Sequence, residues 1–82
     1  MTETRQQLAE RTARELYATD LATQGLGMQL LEVGPGHARM SMTVRADMAN
    51  GHGICHGGFI FTLADSTFAF ACNSRNRVTV AA

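Results

Sequence analysis

The chain has no surplus of charge of either sign: Lys plus Arg number 7, Asp plus Glu number 7, and the formal net charge is zero. No long-range field therefore favours nucleic acid or an anionic membrane, and no dense basic run stands out along the sequence. Cysteine is scarce. Cys55 and Cys72 are the only two, too few for a disulfide framework, and with no secretory signal before them a reducing cytoplasm is the expected setting. No apolar run approaches the length that spans a bilayer. The opening MTETRQQLAERTARELYATD mixes acidic residues with its arginines, unlike a mitochondrial transit peptide. Internal repeats and low-complexity linkers are also missing. With 82 residues, the chain has room for one small domain whose core is marginal alone, so partner chains are expected.

What is present falls into a readable order. Leu8, Ala9, Ala13, Leu16 and Tyr17 recur at helical spacing among polar residues, and Thr4 with Gln7 fits a capping box, which predicts an amphipathic first helix. Asp20 is placed to cap one further turn, closed by Gly25 and Gly27. The segment MQLLEV reads as a strand. Gly34-Pro35-Gly36 is a turn signal, and beyond it Ala38, Met40, Met42 and Val44 alternate with Arg39, Ser41, Thr43 and Arg45, predicting a second strand and a hairpin with one apolar face. NGHGICHGG then reads as a loop whose glycines free the backbone for close approach. GFIFTLADSTFAFACNS is helix-length and apolar on most sides, the pattern of a buried helix, with Thr62, Asp65, Ser66 and Asn73 as polar exceptions. RVTVAA resumes strand composition. About three strands of five to six residues leave such a helix partly bare. The expectation is a chain cut inside a larger domain, or one whose missing strands come from other polypeptide.

An aspartate inside an apolar helix costs free energy unless hydrogen bonds or a charge compensate it. Asp65 is thus either structural, bonded to Ser66, Thr62 or a backbone group across the core, or a catalytic carboxylate. The amides of Gly57 and Gly58 fall near the N-terminus of the same helix, where unpaired N–H donors and the helix dipole attract negative charge. Such donors can polarise a thioester carbonyl and stabilise its tetrahedral adduct. The alternative is a glycine turn required only for packing. Gly57 and Asp65 are eight residues apart, about 12 Å along an ideal helix, so one helix cannot easily bring both to one carbonyl carbon. If they cooperate, the carboxylate comes from a second copy running roughly antiparallel across a two-fold axis.

Other candidates are weaker. Asn50 begins an Asn-Gly turn dipeptide, and His56 can serve simply as a donor to a backbone carbonyl. His52, Cys55 and His56 are metal-ligand types, but their spacing fits no standard zinc pattern and no metal is expected. Cys55 as a nucleophile needs a facing base. Cys72 reads as a small buried apolar residue, and Phe59, Phe61, Phe68 and Phe70 as core, with one available to line an acyl pocket. The glycine run lacks the Lys and Ser/Thr of a phosphate-binding loop.

The run NGHGICHGGFIFTLADSTFAFACN, Asn50 to Asn73, closely resembles the signature of the PaaI group of hotdog thioesterases, acyl-CoA thioesterases associated with phenylacetate degradation. The order of N-terminal helix, hairpin and loop-helix is similar too. The resemblance implies an α+β hotdog fold, a long central helix wrapped by a curved antiparallel sheet, with residues 1–82 as a single domain incomplete at its C-terminus. It implies a homodimer, usually assembled into a homotetramer. It implies Asp65 as nucleophile or general base, Gly57 as the oxyanion-hole amide, and Asn50 as a residue that positions the carbonyl or the water. His56 and Gly58 of the HGG element stand at the substrate, with His56 ordering the loop. The substrate implied is (hydroxy)phenylacetyl-CoA or a similar aryl- or acyl-CoA, and no cofactor beyond the CoA of the substrate. Two alternatives remain: a non-catalytic acyl-CoA-binding module, and an enoyl-CoA hydratase suggested by the Asp47-x4-His52 spacing, although the residues MANG between them do not resemble the hydratase context.

Overall fold

The computed structural model describes residues 2–75. Helix α1 spans Arg5–Thr19, α2 Leu21–Gly25, strand β1 Gln29–Gly34, β2 His37–Ser41 and helix α3 Gly57–Asn73, with a 3-10 turn at Ala46–Met48 before the glycine loop. The expected third strand, RVTVAA, lies outside the described residues. No helix among those described is long and apolar enough to cross a membrane.

Local chemistry accounts for the boundaries. Thr4 accepts from the Gln7 amide at 3.0 Å while the Gln7 side chain accepts from the Thr4 amide at 2.9 Å, the expected capping box. Asp20 caps α2 through the Thr23 amide at 3.1 Å. Gly27 takes φ +70, a left-handed turn that only glycine adopts without strain. It sends the chain from α2 into β1. In the hairpin, Pro35 presets φ and Gly36 adopts φ +80, a pairing suited to a tight turn. The strands pair antiparallel from Gln29↔Ser41 to Gly34↔His37, with a bulge between Leu30 and Glu32. That bulge resets the alternation. Leu30 and Val33 are therefore both half-buried although three residues apart, and Leu31 is turned out at 51% exposure.

Two expectations need correction here. The alternation through Val44 predicts a longer second strand, but β2 stops at Ser41, opposite the start of its partner at Gln29, and among the described residues Met42 to Arg45 have no strand to pair with. Arg45 instead donates to the Gly25 carbonyl at 3.0 Å and pairs with Asp47 at 3.1 Å. The second correction concerns α3. Its composition predicts burial on most sides, yet only one face packs against α1 and the hairpin, where Phe70 is buried with Ala9, Ala13, Met28 and Met48. The small side chains of Ala9 and Ala13 let α1 approach closely, and Tyr17 stacks obliquely on Phe70 at 6.4 Å while donating to the Met28 carbonyl at 3.1 Å. The opposite face is bare, as the shortage of strands predicts: Ile60, Phe61 and Phe68 are 56%, 70% and 52% exposed. Phe61 and Phe68 are thus not core residues of this chain, and Cys72 is half-buried rather than enclosed.

Candidate active site

The glycine loop is a compact closed turn rather than a loose connection. The Asn50 amide donates to the Ile54 carbonyl at 2.7 Å, the Gly53 amide returns to the Asn50 carbonyl at 3.0 Å, and Ala49 bridges Cys55. The Asn50 side chain organises the same turn, its Oδ1 accepting from the amides of His52 at 2.9 Å and Ile54 at 3.3 Å. The turn role is therefore occupied by Oδ1. Among the described residues the Asn50 Nδ2 has no acceptor, so a donor remains free beside the helix entrance. The His56 amide donates to the Met48 carbonyl at 2.8 Å, which seats the loop against the buried Met48.

At the start of α3 the two glycines do different things. His56 is the N-cap, with φ −60 and ψ 133, and its Nδ1 accepts from the Gly58 amide at 3.0 Å. Its ring must then carry the proton on Nε2. A Cβ on Gly58 would meet that ring at 3.2 Å, so a side chain there would push the capping imidazole aside by a few tenths of an ångström. Gly57 is different. Its amide has no acceptor among the described residues, it is exposed, and a Cβ there would meet nothing within 4 Å. Of the two expected oxyanion donors, Gly58 is already engaged and Gly57 is the one left open at the positive end of the helix.

Asp65 lies two turns further on and is exposed, which corrects the expectation of a buried carboxylate. The structural alternatives for it find no partner among the described residues. The Thr62 hydroxyl donates to the Gly58 carbonyl at 2.8 Å, and Ser66 Oγ lies 3.2 Å from Thr23 Oγ1 on α2. Both neighbouring hydroxyls are committed elsewhere. Among the described residues the Asp65 carboxylate accepts no hydrogen bond and pairs with no cation. It shares the bare face of α3 with Gly57, Ile60, Phe61, Ala64 and Phe68, all exposed and all three to four residues apart along one helical stripe.

Because α3 is unbroken from Gly57 to Asn73, the axial separation of about 12 Å between Gly57 and Asp65 stands. Within one chain the structure brings Asn50, His56 and Gly57 together and leaves Asp65 apart from them. Asp47 pairs with Arg45, and the His52 ring makes no hydrogen bond among the described residues; nothing joins them as a hydratase pair. No group of three His, Cys, Asp or Glu that could hold a metal forms among those residues. Sequence reasoning misses Thr23, a fully buried hydroxyl. Its signal is the Asp20-x-x-Thr23 spacing, which a simple helix cap explains equally well.

No family model matches the chain. It is 44% identical over 73 residues to the acyl-coenzyme A thioesterase PaaI of Escherichia coli, covering 89% of this chain and 52% of that protein. It is 37% identical over 75 residues to a putative esterase of Archaeoglobus fulgidus, covering 92% and 49% respectively. The chain thus spans about half the length of the curated relatives it matches. Among solved structures, the Escherichia coli PaaI protein from the phenylacetic acid degradation operon superposes with a TM-score of 0.93 at 40% identity, over 96% of this chain and 57% of that one. A variant of the phenylacetic acid degradation protein PaaI from Thermus thermophilus gives 0.67 at 45% identity, over 71% and 50%.

Proposed function

From a chain that is related to the PaaI proteins along nearly its whole length and shares their hotdog α+β fold, we propose that it is the active-site half of an acyl-CoA thioesterase. The observation that carries this reading is the bare face of α3, where the Gly57 amide and the Asp65 carboxylate, neither engaged by any described residue, lie among exposed apolar side chains. A second copy of α3 laid antiparallel on that face brings its own Asp65 to the carbonyl held at Gly57. Two equivalent sites result. Fully burying a Phe or Ile side chain contributes about 1.5–3 kcal/mol, so covering the half-exposed Ile60, Phe61 and Phe68 on both copies supplies several kcal/mol toward the dimer. A homotetramer of two such dimers is the assembly that the resemblance favours.

In the reaction, the thioester oxygen accepts from the Gly57 N–H, and the charge of the tetrahedral adduct develops against that donor and the helix N-terminus. The facing Asp65 either attacks the carbonyl carbon itself or takes a proton from the attacking water. If Asp65 acts as base, collapse of the adduct breaks the C–S bond, the proton taken from water passes to the sulfur, and CoA leaves as its thiol with the free acid behind. If Asp65 attacks, the same collapse leaves an acyl-aspartyl anhydride, which water then hydrolyses to the free acid and the regenerated carboxylate. Asn50 Nδ2 is available to orient the carbonyl or the water. His56 closes the helix entrance through Gly58 and keeps the loop in register. The acyl group this reading favours is of the phenylacetyl or hydroxyphenylacetyl type, or a similar aryl or acyl group. No cofactor is required beyond the CoA of the substrate, and the cytoplasm is the setting. The test is free-thiol release from a panel of aryl-acetyl-CoA and acyl-CoA esters. Asp65→Ala should lower kcat by about 10²–10⁴-fold, and equal rates in the two proteins would overturn the reading.

A further inference from the structure

Helix α3 has no amphipathic reason to present one face rather than another. Its buried side holds Phe59, Leu63 and Phe70, and its bare side holds Ile60, Phe61, Ala64 and Phe68, so apolar burial alone barely distinguishes one rotation about the axis from another. The helix is tied at its entrance by the His56 amide to Met48 and at its exit by Ser74 Oγ, which accepts from the Gly36 amide at 2.7 Å. Between them, the hydroxyls of Thr62 and Thr67 bond the helix's own carbonyls at Gly58 and Leu63, which constrains nothing outside it. Ser66 reaches across.

Its partner is Thr23 Oγ1 at 3.2 Å, 43 residues away in sequence. Thr23 is fully buried, and the same hydroxyl lies 2.6 Å from Asp20 Oδ2. A carboxylate only accepts, and a short charge-assisted bond is the stronger of the two. The Thr23 proton therefore goes to Asp20, and Thr23 must accept from Ser66. The direction of the chain is fixed: Ser66 to Thr23 to Asp20. Because Asp20 is also held by the Thr23 amide at 3.1 Å, its carboxylate is anchored at both oxygens. A single hydroxyl on α3 is thereby keyed to a rigid turn between α1 and α2.

We infer that Asp20 and Thr23 are positioning residues that set the rotational register of α3 through Ser66 and thereby aim Asp65 at the bare face. This rests on the thioesterase reading for its catalytic consequence but not for its geometry. Successive helical residues are about 100° apart around the axis, so holding Ser66 inward fixes where Asp65 points. A rotation of about 20° moves a group about 5 Å from the helix axis by nearly 2 Å. Misplacements of about 1 Å can cost about 10²-fold in rate.

The experiment compares Thr23→Val, Ser66→Ala and Thr23→Ser in the full protein. The first removes the relay at constant shape, the second removes its donor, and the third keeps the hydroxyl. Thr23→Val and Ser66→Ala should each lower kcat about 10- to 100-fold with KM within about twofold of wild type, and Thr23→Ser should restore kcat to within about threefold. If Thr23→Val fails to fold, Ser66→Ala carries the same comparison, since alanine favours the helix. Kcat within about threefold of wild type in a folded variant lacking the relay overturns the inference. Amide proton and nitrogen NMR shifts of residues 62–69 give a readout that needs no turnover. They should move together in Thr23→Val and Ser66→Ala and return in Thr23→Ser, and unchanged shifts overturn the register role. A wild type that turns over no thioester defeats the proposed function alone, and the register is then decided by the shifts.

Discussion

Replacing Gly57 by proline isolates one hydrogen atom. Gly57 is the first residue of α3, the position where proline is best tolerated, because the amide it removes has no partner inside the helix. The preceding residue must be extended, and His56 already is, with φ −60 and ψ 133. Nothing within 4 Å obstructs a Cβ at Gly57, and its φ is not positive. Gly57→Pro should therefore leave the melting temperature unchanged or slightly raised through the less flexible unfolded chain. If the Gly57 amide is the oxyanion donor, the same change should lower kcat by about 10²–10³-fold, equivalent to about 2.7–4 kcal/mol of transition-state stabilisation. Gly57→Ala, which keeps the N–H, is the control and should remain within a few-fold of wild type. The assay is thiol release at saturating acyl-CoA. A folded Gly57→Pro protein with wild-type kcat refutes the assignment of the amide. The same variant reports whether the site is shared. Mixing Gly57→Pro and Asp65→Ala subunits, each inactive, creates dimers with one doubly damaged and one intact site. Random pairing makes about half the dimers mixed, with half their sites intact, so about a quarter of wild-type activity should return. No recovery after verified subunit exchange would place both residues on one chain's site and refute the two-chain geometry.

Three further outcomes are expected. Phe61→Glu places a charge in the centre of the bare stripe and should shift the protein to monomers by light scattering, with activity lost although every site residue is intact. His56→Ala removes the α3 cap and should lower stability by about 0.5–2 kcal/mol in a denaturant titration; an unchanged midpoint would contradict the cap. Asn50→Asp keeps the acceptor that holds the His52 and Ile54 amides but loses the free donor, so it should fold like wild type and turn over slowly. Asn50→Ala should instead also lose stability, because two loop amides lose their acceptor.

Much of this architecture is legible because its determinants are local. Thr4 and Gln7 three apart, Pro35-Gly36, and the change to glycine before an apolar run each specify their structure within a few residues, and the start of α3 at Gly57 falls one residue before the apolar run read from the sequence. The end of β2 is not legible, since alternation continues to Val44, past the residue opposite the start of β1. Nor are the hydrogen-bond commitments of the site. Whether Ser66 serves Asp65 or Thr23, and whether Gly57 or Gly58 keeps a free amide, depends on contacts up to 43 residues apart and on one imidazole orientation. The exposure of Asp65 is masked by the helix's uniform apolarity, which signals burial without saying in which chain the covering surface resides.

The bulge at Leu31 has a bearing on solubility. Among the described residues β1 has no partner strand on its outer side, where the Gln6 side chain donates to the Val33 carbonyl at 2.8 Å. An extra residue bends a strand and tightens its twist, and a bent edge is a poor template for the straight stacking of identical segments that builds fibrils. The extra residue at Leu31 thus works against open-ended self-addition along that edge.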